Sequence, residues 1–201
     1  CGRLAQLGAV TILLLAVLGA QTIERPVRAV TDPGVVTTRQ GITPAGVPSV
    51  FTGRVYGVAW GPQPDQVWVL NATQLYLLDW RRNQVLAQIA HKGTPGNQSI
   101  ASAGGRVFVG TSVRAARSRK ALAQVVTVEE KNLRPLAEGL GAYSPGALAV
   151  SAGPAERVAV APLVYENKLA VIDAATGQVR RSIDTGIAPF AAVVNAAGSV
   201  A

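Results

Sequence analysis

The chain has 201 residues, of which 49% are hydrophobic and only 15% charged, and a formal net charge of +8. That apolar fraction excludes an intrinsically disordered protein, and the length predicts one or two domains. The 21 glycines and 12 prolines suit a chain of many tight turns, and no sustained heptad or amphipathic-helix pattern follows residue 30.

Residues 4–20 are almost wholly apolar, with Arg3 before them and Gln21, Thr22, Glu24 and Arg25 after them. A positive start, a short apolar stretch and small residues at its end predict a secretory signal peptide over residues 1–20, cleaved near Gly19 or Ala20. An uncleaved anchor is the alternative. A spanning helix needs about 20 apolar residues, and Gln6 and Thr11 interrupt this run. The expected location is periplasmic or secreted, by bacterial-type export, with the signal engaging the membrane only during export. Cys1 precedes the apolar run, whereas a lipidated cysteine would follow it. As the single cysteine, it makes no intramolecular disulfide. The chain begins without methionine and ends inside an apolar run, so it reads as a piece of a longer protein.

Beyond residue 52 the sequence repeats. Leu77-Leu78-Asp79 followed by Asn83-Gln84-Val85 matches Val171-Ile172-Asp173 followed by Gly177-Gln178-Val179, and the two copies lie 94 residues apart. A middle copy, Val128-Glu129-Glu130-Lys131-Asn132-Leu133, has Glu for Asp and a turn one residue shorter. Upstream of each copy lies a second apolar run, beginning at Val67, Val107 and Val158, and a fourth begins at Val200. Before each of these comes a run of small residues: 57–60, 99–102, 147–150 and 191–194. Each unit of about 40–45 residues therefore holds four short strands, the period of a propeller blade. The fold expected is all-β: a β-propeller of four-stranded antiparallel blades, incomplete here, with about three blades plus the start of a fourth over residues 53–201. A β-sandwich is the rival, but it has no reason to repeat a detailed turn at a fixed interval. Asp79 and Asp173 read as caps of turn amides, and Glu129 and Glu130 take the same reading. Residues 21–52 form an N-terminal extension. Within it, Val35-Val36-Thr37-Thr38 is a candidate ring-closing strand, which would cover an exposed sheet edge. The second unit is longer by about ten residues. The surplus, between Gly110 and Ala123, is expected to project as a loop between its second and third strands.

Asn167 to Val179, followed by Ser182-Ile183-Asp184-Thr185-Gly186 and Pro189, resembles the YVTN-type, lactonase-like β-propeller repeat. In that repeat an apolar strand ends in Asp, a Thr-Gly turn follows, and Gly-x-x-Pro leads into the next blade. The resemblance covers residues 53–201 and is sharpest in the third unit. The usual Ser-Pro-Asp-Gly turn between the first two strands is replaced here, for example by Ser151-Ala152-Gly153-Pro154. A narrower resemblance lies in Thr38 to Gly46 leading to Gly53-Arg54. It is similar to the leading segment of exported proteins in which a propeller precedes an alkaline-phosphatase-like phosphoesterase domain. It implies that the metals and nucleophile of such an enzyme lie beyond residue 201.

No catalytic constellation emerges, and no cofactor is expected in this stretch of chain. The one histidine, His91, reads as structural, since a zinc site needs three or four protein ligands. Gly139-Leu140-Gly141-Ala142-Tyr143-Ser144 reads as a connector between units. The inner strands offer Ala, Gly, Ser and Val rather than carboxylates or histidines, against a lactonase-like metal site in the channel. The feature that stands apart from the fold is the basic cluster Arg114, Arg117, Arg119 and Lys120, a candidate anion-binding loop. It lacks interleaved aromatics, so nucleic acid is not the expected partner. The function expected is an exported binding or scaffold module that contacts an unknown ligand or envelope protein. The alternative is the N-terminal accessory domain of a metal-dependent phosphoesterase.

Overall fold

The computed structural model describes residues 23–27, 46–114, 120–151, 153 and 157–197. The expected signal peptide and Val35-Val36 lie outside these residues. Among the described residues there are twelve strands and no helix. The first sheet runs β1 (Val55–Trp60), β2 (Gln66–Asn71), β3 (Gln74–Asp79) and β4 (Gln84–Ala90). The second runs β5 (Thr94–Ala103), β6 (Arg106–Arg114), β7 (Ala121–Glu129) and β8 (Asn132–Ala137). The third runs β9 (Ala149–Val150), β10 (Val158–Leu163), β11 (Lys168–Asp173) and β12 (Val179–Asp184). Each is antiparallel with its strands paired in chain order, and each sheet hands over to the next from its fourth strand to a new first strand. Three such sheets packed face to face are β-propeller blades.

The side chains of the middle strands alternate between two interfaces, as period-2 geometry requires. In β2, Trp68 and Leu70 face the second sheet, while Val67 and Val69 face away from it. In β10, Ala159 and Ala161 face the second sheet and Val158 and Val160 face away. Covering on both faces explains why these strands are apolar at nearly every position. In all three sheets the outer hairpin carries a bulge that leaves one extra residue on the fourth strand: Leu86, Leu136 or Arg180. A repeated bulge adds local twist at the rim. Pro135, which has no N–H to donate, lies on such an outer edge strand.

The hairpins joining third to fourth strands follow their sequences. Asp79 Oδ1 accepts the Arg82 amide at 2.8 Å, and Asp173 Oδ1 accepts those of Ala175 and Thr176, both at 2.8 Å. Asn83 and Gly177, equivalent in the repeat, both have left-handed backbones, with φ of 54° and 78°. The second sheet differs from the expected capped turn. Its hairpin is a two-residue turn in which Glu130 and Lys131 both have positive φ, 47° and 66°, and Glu129 pairs with Asn132 in the ladder. With one residue fewer, the chain reverses as a primed turn, which needs two left-handed residues rather than a carboxylate cap.

The surplus of the second sheet also differs from expectation. Residues 111–114 and 121–122 are ladder residues, with Thr111 opposite Gln124 and Arg114 opposite Ala121. The hairpin is lengthened, because Thr111 and Gln124 are buried and bonded side chain to side chain at 2.9 Å.

Part of the N-terminal extension straps the outward face of the first sheet. Val27 and Val50 pair through two backbone bonds of 3.0 and 2.9 Å. Glu24 Oε1 accepts the Thr52 amide, and its other oxygen accepts the Tyr76 hydroxyl. Burial first, and then the Glu24 carboxylate, hold the Tyr76 hydroxyl well above its ordinary range. Phe51 lies on the Tyr76 ring at 4.8 Å. This strap covers apolar residues Val69, Tyr76, Leu78 and Val85.

Candidate functional site

The connectors between sheets converge on one end of the molecule. The start of β5, the β8–β9 connector and the segment after β12 each hold a Pro (Pro95, Pro145, Pro189), and the first two then reach glycines that allow backbone to meet backbone. A Cβ on Gly96 would collide with the Pro145 carbonyl oxygen, and one on Gly146 with that of Phe190. The turn between β10 and β11 pins two of these connectors. Glu166 Oε1 accepts the Ala142 amide and Asn167 Oδ1 accepts the Ala188 amide, each at 2.9 Å. Beside these bonds, Tyr143 and Ala188 take left-handed backbones, with φ of 62° and 54°. Such a backbone is uncommon for a bulky side chain. The Tyr143 amide is itself held, donating to Ala121 O at 2.9 Å.

The consequence is an exposed aromatic pair. Tyr143 and Tyr165 touch at 4.7 Å between ring centroids, tilted by 46°, while remaining 55% and 66% exposed. They border a cleft of about 520 Å³ that reaches across to Arg54 and Tyr56 at the start of the first sheet. The Arg54 guanidinium lies 4.8 Å over the Tyr56 ring, and its Nη2 donates to Asn97 Oδ1 at 3.1 Å. It is therefore a cation fixed by a ring and an amide, with no carboxylate in an ion pair with it among the described residues. Ser144 Oγ donates to Thr94 O at 2.7 Å, and the Ser112 hydroxyl lies 3.0 Å from Ser144 Oγ. Since the Ser144 proton is committed, Ser112 donates, which leaves Ser112 Oγ on the cleft wall as an acceptor.

The residues singled out from sequence fall in different places. Arg114 ends β6 and Lys120 immediately precedes β7; both are exposed. They flank the hairpin end where Ala121, opposite Arg114, borders the cleft. Arg117 and Arg119 lie outside the described residues. Asp79 and Asp173 stand in outer turns, away from the cleft. The Asp173 carboxylate also holds Arg180, with Nη2 to Oδ2 at 2.5 Å. That guanidinium, followed by the turn amides, keeps Asp173 well below the ordinary carboxylate range. His91 is half-buried, with Nδ1 3.0 Å from Gly93 O and Nε2 2.9 Å from Asn71 O, bracing a connector. Among the described residues no group of three or more His, Cys, Asp or Glu is placed to hold a metal ion.

Sequence reasoning missed Arg54, Tyr56, Tyr143 and Tyr165. Tyr143 sits in the stretch read as a connector, and no spacing links it to Tyr165 or Arg54. A second hollow, about 550 Å³, lies between the strap and residues 82–85. Among its polar groups, Asn83 Nδ2 donates to Pro26 O at 2.7 Å, and both Glu24 oxygens accept bonds.

No family model and no curated protein matches the sequence. Solved structures do. The chain is similar to the hydrazine synthase of Kuenenia stuttgartiensis, with a TM-score of 0.51 and 18% identity over 78% of this chain and 42% of that one. It is similar also to a protein of unknown function from Bacteroides caccae, with a TM-score of 0.54 and 15% identity over 78% and 55%. The Dos1 propeller aligns with a TM-score of 0.47 and 12% identity over 73% and 41%. The chain thus spans about half the length of the structures it matches, and at these identities the likeness concerns the fold.

Proposed function

We propose that this protein is an exported β-propeller binding module that takes its ligand in the cleft bordered by Tyr143, Tyr165 and Arg54. The observation that carries the reading is Tyr143: a bulky, exposed side chain on a left-handed backbone, its connector pinned by Ala121 O and Glu166. Strain retained in an exposed aromatic residue at a cleft points to use of that side chain. A cleft of this size with a few fixed polar groups suits a small ligand or one segment of a polymer. The apolar run at residues 4–20 supports export. Fused to an export-dependent reporter, residues 1–30 should deliver it and be trimmed near Gly19 or Ala20; retention in the cytoplasm counts against export.

Hydrogen exchange, with and without a soluble cell-envelope extract, tests the cleft. Protection confined to the amides of the cleft lining, at residues 54, 56, 94, 96, 97, 112, 121, 143, 144, 146, 164, 165 and 190, is the expected result. Protection elsewhere, or none, overturns the reading. The accessory role beside a phosphoesterase uses the same cleft for an anionic substrate, supported by the basic residues Arg114 and Lys120 nearby. The two readings separate on what the full-length gene encodes after residue 201: further blades alone, or an α/β segment with spaced Asp and His.

A further inference from the structure

Three features of the cleft, taken on the reading just given, narrow its ligand. The first is the shape of the aromatic pair. Tyr143 and Tyr165 touch at 4.7 Å and tilt by 46°, so no slot remains between them for a flat base. Both residues nonetheless stay more than half exposed beside the cleft, and exposed aromatic surface suits the C–H faces of puckered rings. The second is the hydroxyl relay. Ser112 donates to Ser144 and Ser144 to Thr94 O, so Ser112, a buried residue of the cleft lining, keeps acceptor capacity that a ligand O–H would meet. A carboxylate or a phosphodiester offers none at neutral pH. The third is charge. Arg54, which lines the cleft, is fixed over Tyr56, and Arg114 and Lys120 flank Ala121, another lining residue.

Rings with apolar faces, free hydroxyls and repeated negative charge describe one class. We infer that the cleft binds an acidic polysaccharide, with a sugar ring on Tyr143 and Tyr165, a hydroxyl on Ser112 and a carboxylate on Arg54. Arg114 and Lys120 draw in the neighbouring charged units without fixing their position, since both are exposed.

The test uses the full-length protein and three probes in calorimetry: an oligogalacturonate, a neutral malto-oligosaccharide of equal length, and inorganic pyrophosphate. The expected result is that the acidic oligosaccharide binds and the other two bind at least about tenfold more weakly. Its affinity should fall with added salt, because exposed charges are screened. Tyr143→Ala with Tyr165→Ala should weaken it about tenfold or more, and Tyr143→Phe with Tyr165→Phe should retain it, since the ring face is kept. Arg54→Gln should reduce the acidic probe's affinity and leave any neutral-probe affinity unchanged. Pyrophosphate that binds as well as the oligosaccharide, and equally to the double-alanine variant, overturns the inference in favour of a simple anion site. Equal binding of acidic and neutral oligosaccharides overturns the charge assignment. Failure of every saccharide overturns the ligand class, while exchange protection of the cleft by envelope extract would still stand for the broader reading.

Discussion

The middle sheet meets its two neighbours with side chains of very different size. Toward the first sheet, Val107, Val109 and Val126 pack against Trp68, Leu70, Leu75 and Ile89. Toward the third, Phe108, Ala123, Val125 and Ala137 meet Ala159, Ala161, Ala170 and Ile172. The same backbone ladder supports both, because alternate residues of β6 and β7 point to opposite faces. A close-packed interior asks only that volumes be complementary. One face solves this mostly with Trp, Leu, Ile and Val. The other sets a few large residues, Phe108 and Ile172 among them, into a field of alanines. The repeat specifies where an apolar residue must stand and leaves its size to the partner sheet.

Substitutions can break or sharpen that contrast, each followed by denaturant unfolding of the full-length protein. The largest effect is expected from Leu75→Ala on the large-residue face. Leu75 is fully buried, and truncation there should lower stability by about 2–5 kcal/mol. On the alanine face the sensitive direction is reversed. Ala161 is likewise fully buried, and Ala161→Leu should lower stability by about 1–3 kcal/mol through overpacking. An Ala161→Leu protein with an unchanged midpoint would show spare room and dissolve the contrast.

The outer turns of the first and third sheets extend the comparison. Asp79 is buried and caps the Arg82 amide. Asp79→Ala should cost about 1–2 kcal/mol, the loss of a charge-assisted bond with an amide left behind. Asp173, half-buried and paired with Arg180, should show itself mainly through pH. Its folded carboxyl is held below the unfolded value by Arg180 and the turn amides. The stability it contributes is therefore present above about pH 4, the unfolded value, and is lost as pH falls through the lower folded value. Asp173→Asn should flatten this acid-side decline, while a pH profile parallel to wild type would remove the role assigned to the ion pair.

The blades were legible because their determinants are local. Alternating valines, the Asp turns and the Asn83 and Gly177 positions act within a few residues of chain, and they recur at a fixed interval. The misreadings came where pairing across strands decides. The second sheet's surplus lengthens a hairpin because Thr111 finds Gln124. Its outer turn needs two left-handed residues because it is one residue short. The basic cluster, read from sequence for its charge, has its described members Arg114 and Lys120 beside Ala121 on the cleft border, and the cleft's other groups come from elsewhere in the chain.

The sequence by itself determined the strand count of each blade, the interval between blades and the capped turns of the first and third, since each depends on neighbours along the chain. Only the tertiary structure decided the cleft. Tyr143 meets Tyr165, and Arg54 meets Asn97, because consecutive sheets stack face to face and their connectors converge at one end. Contacts made across sheets leave no period in the sequence from which to read them.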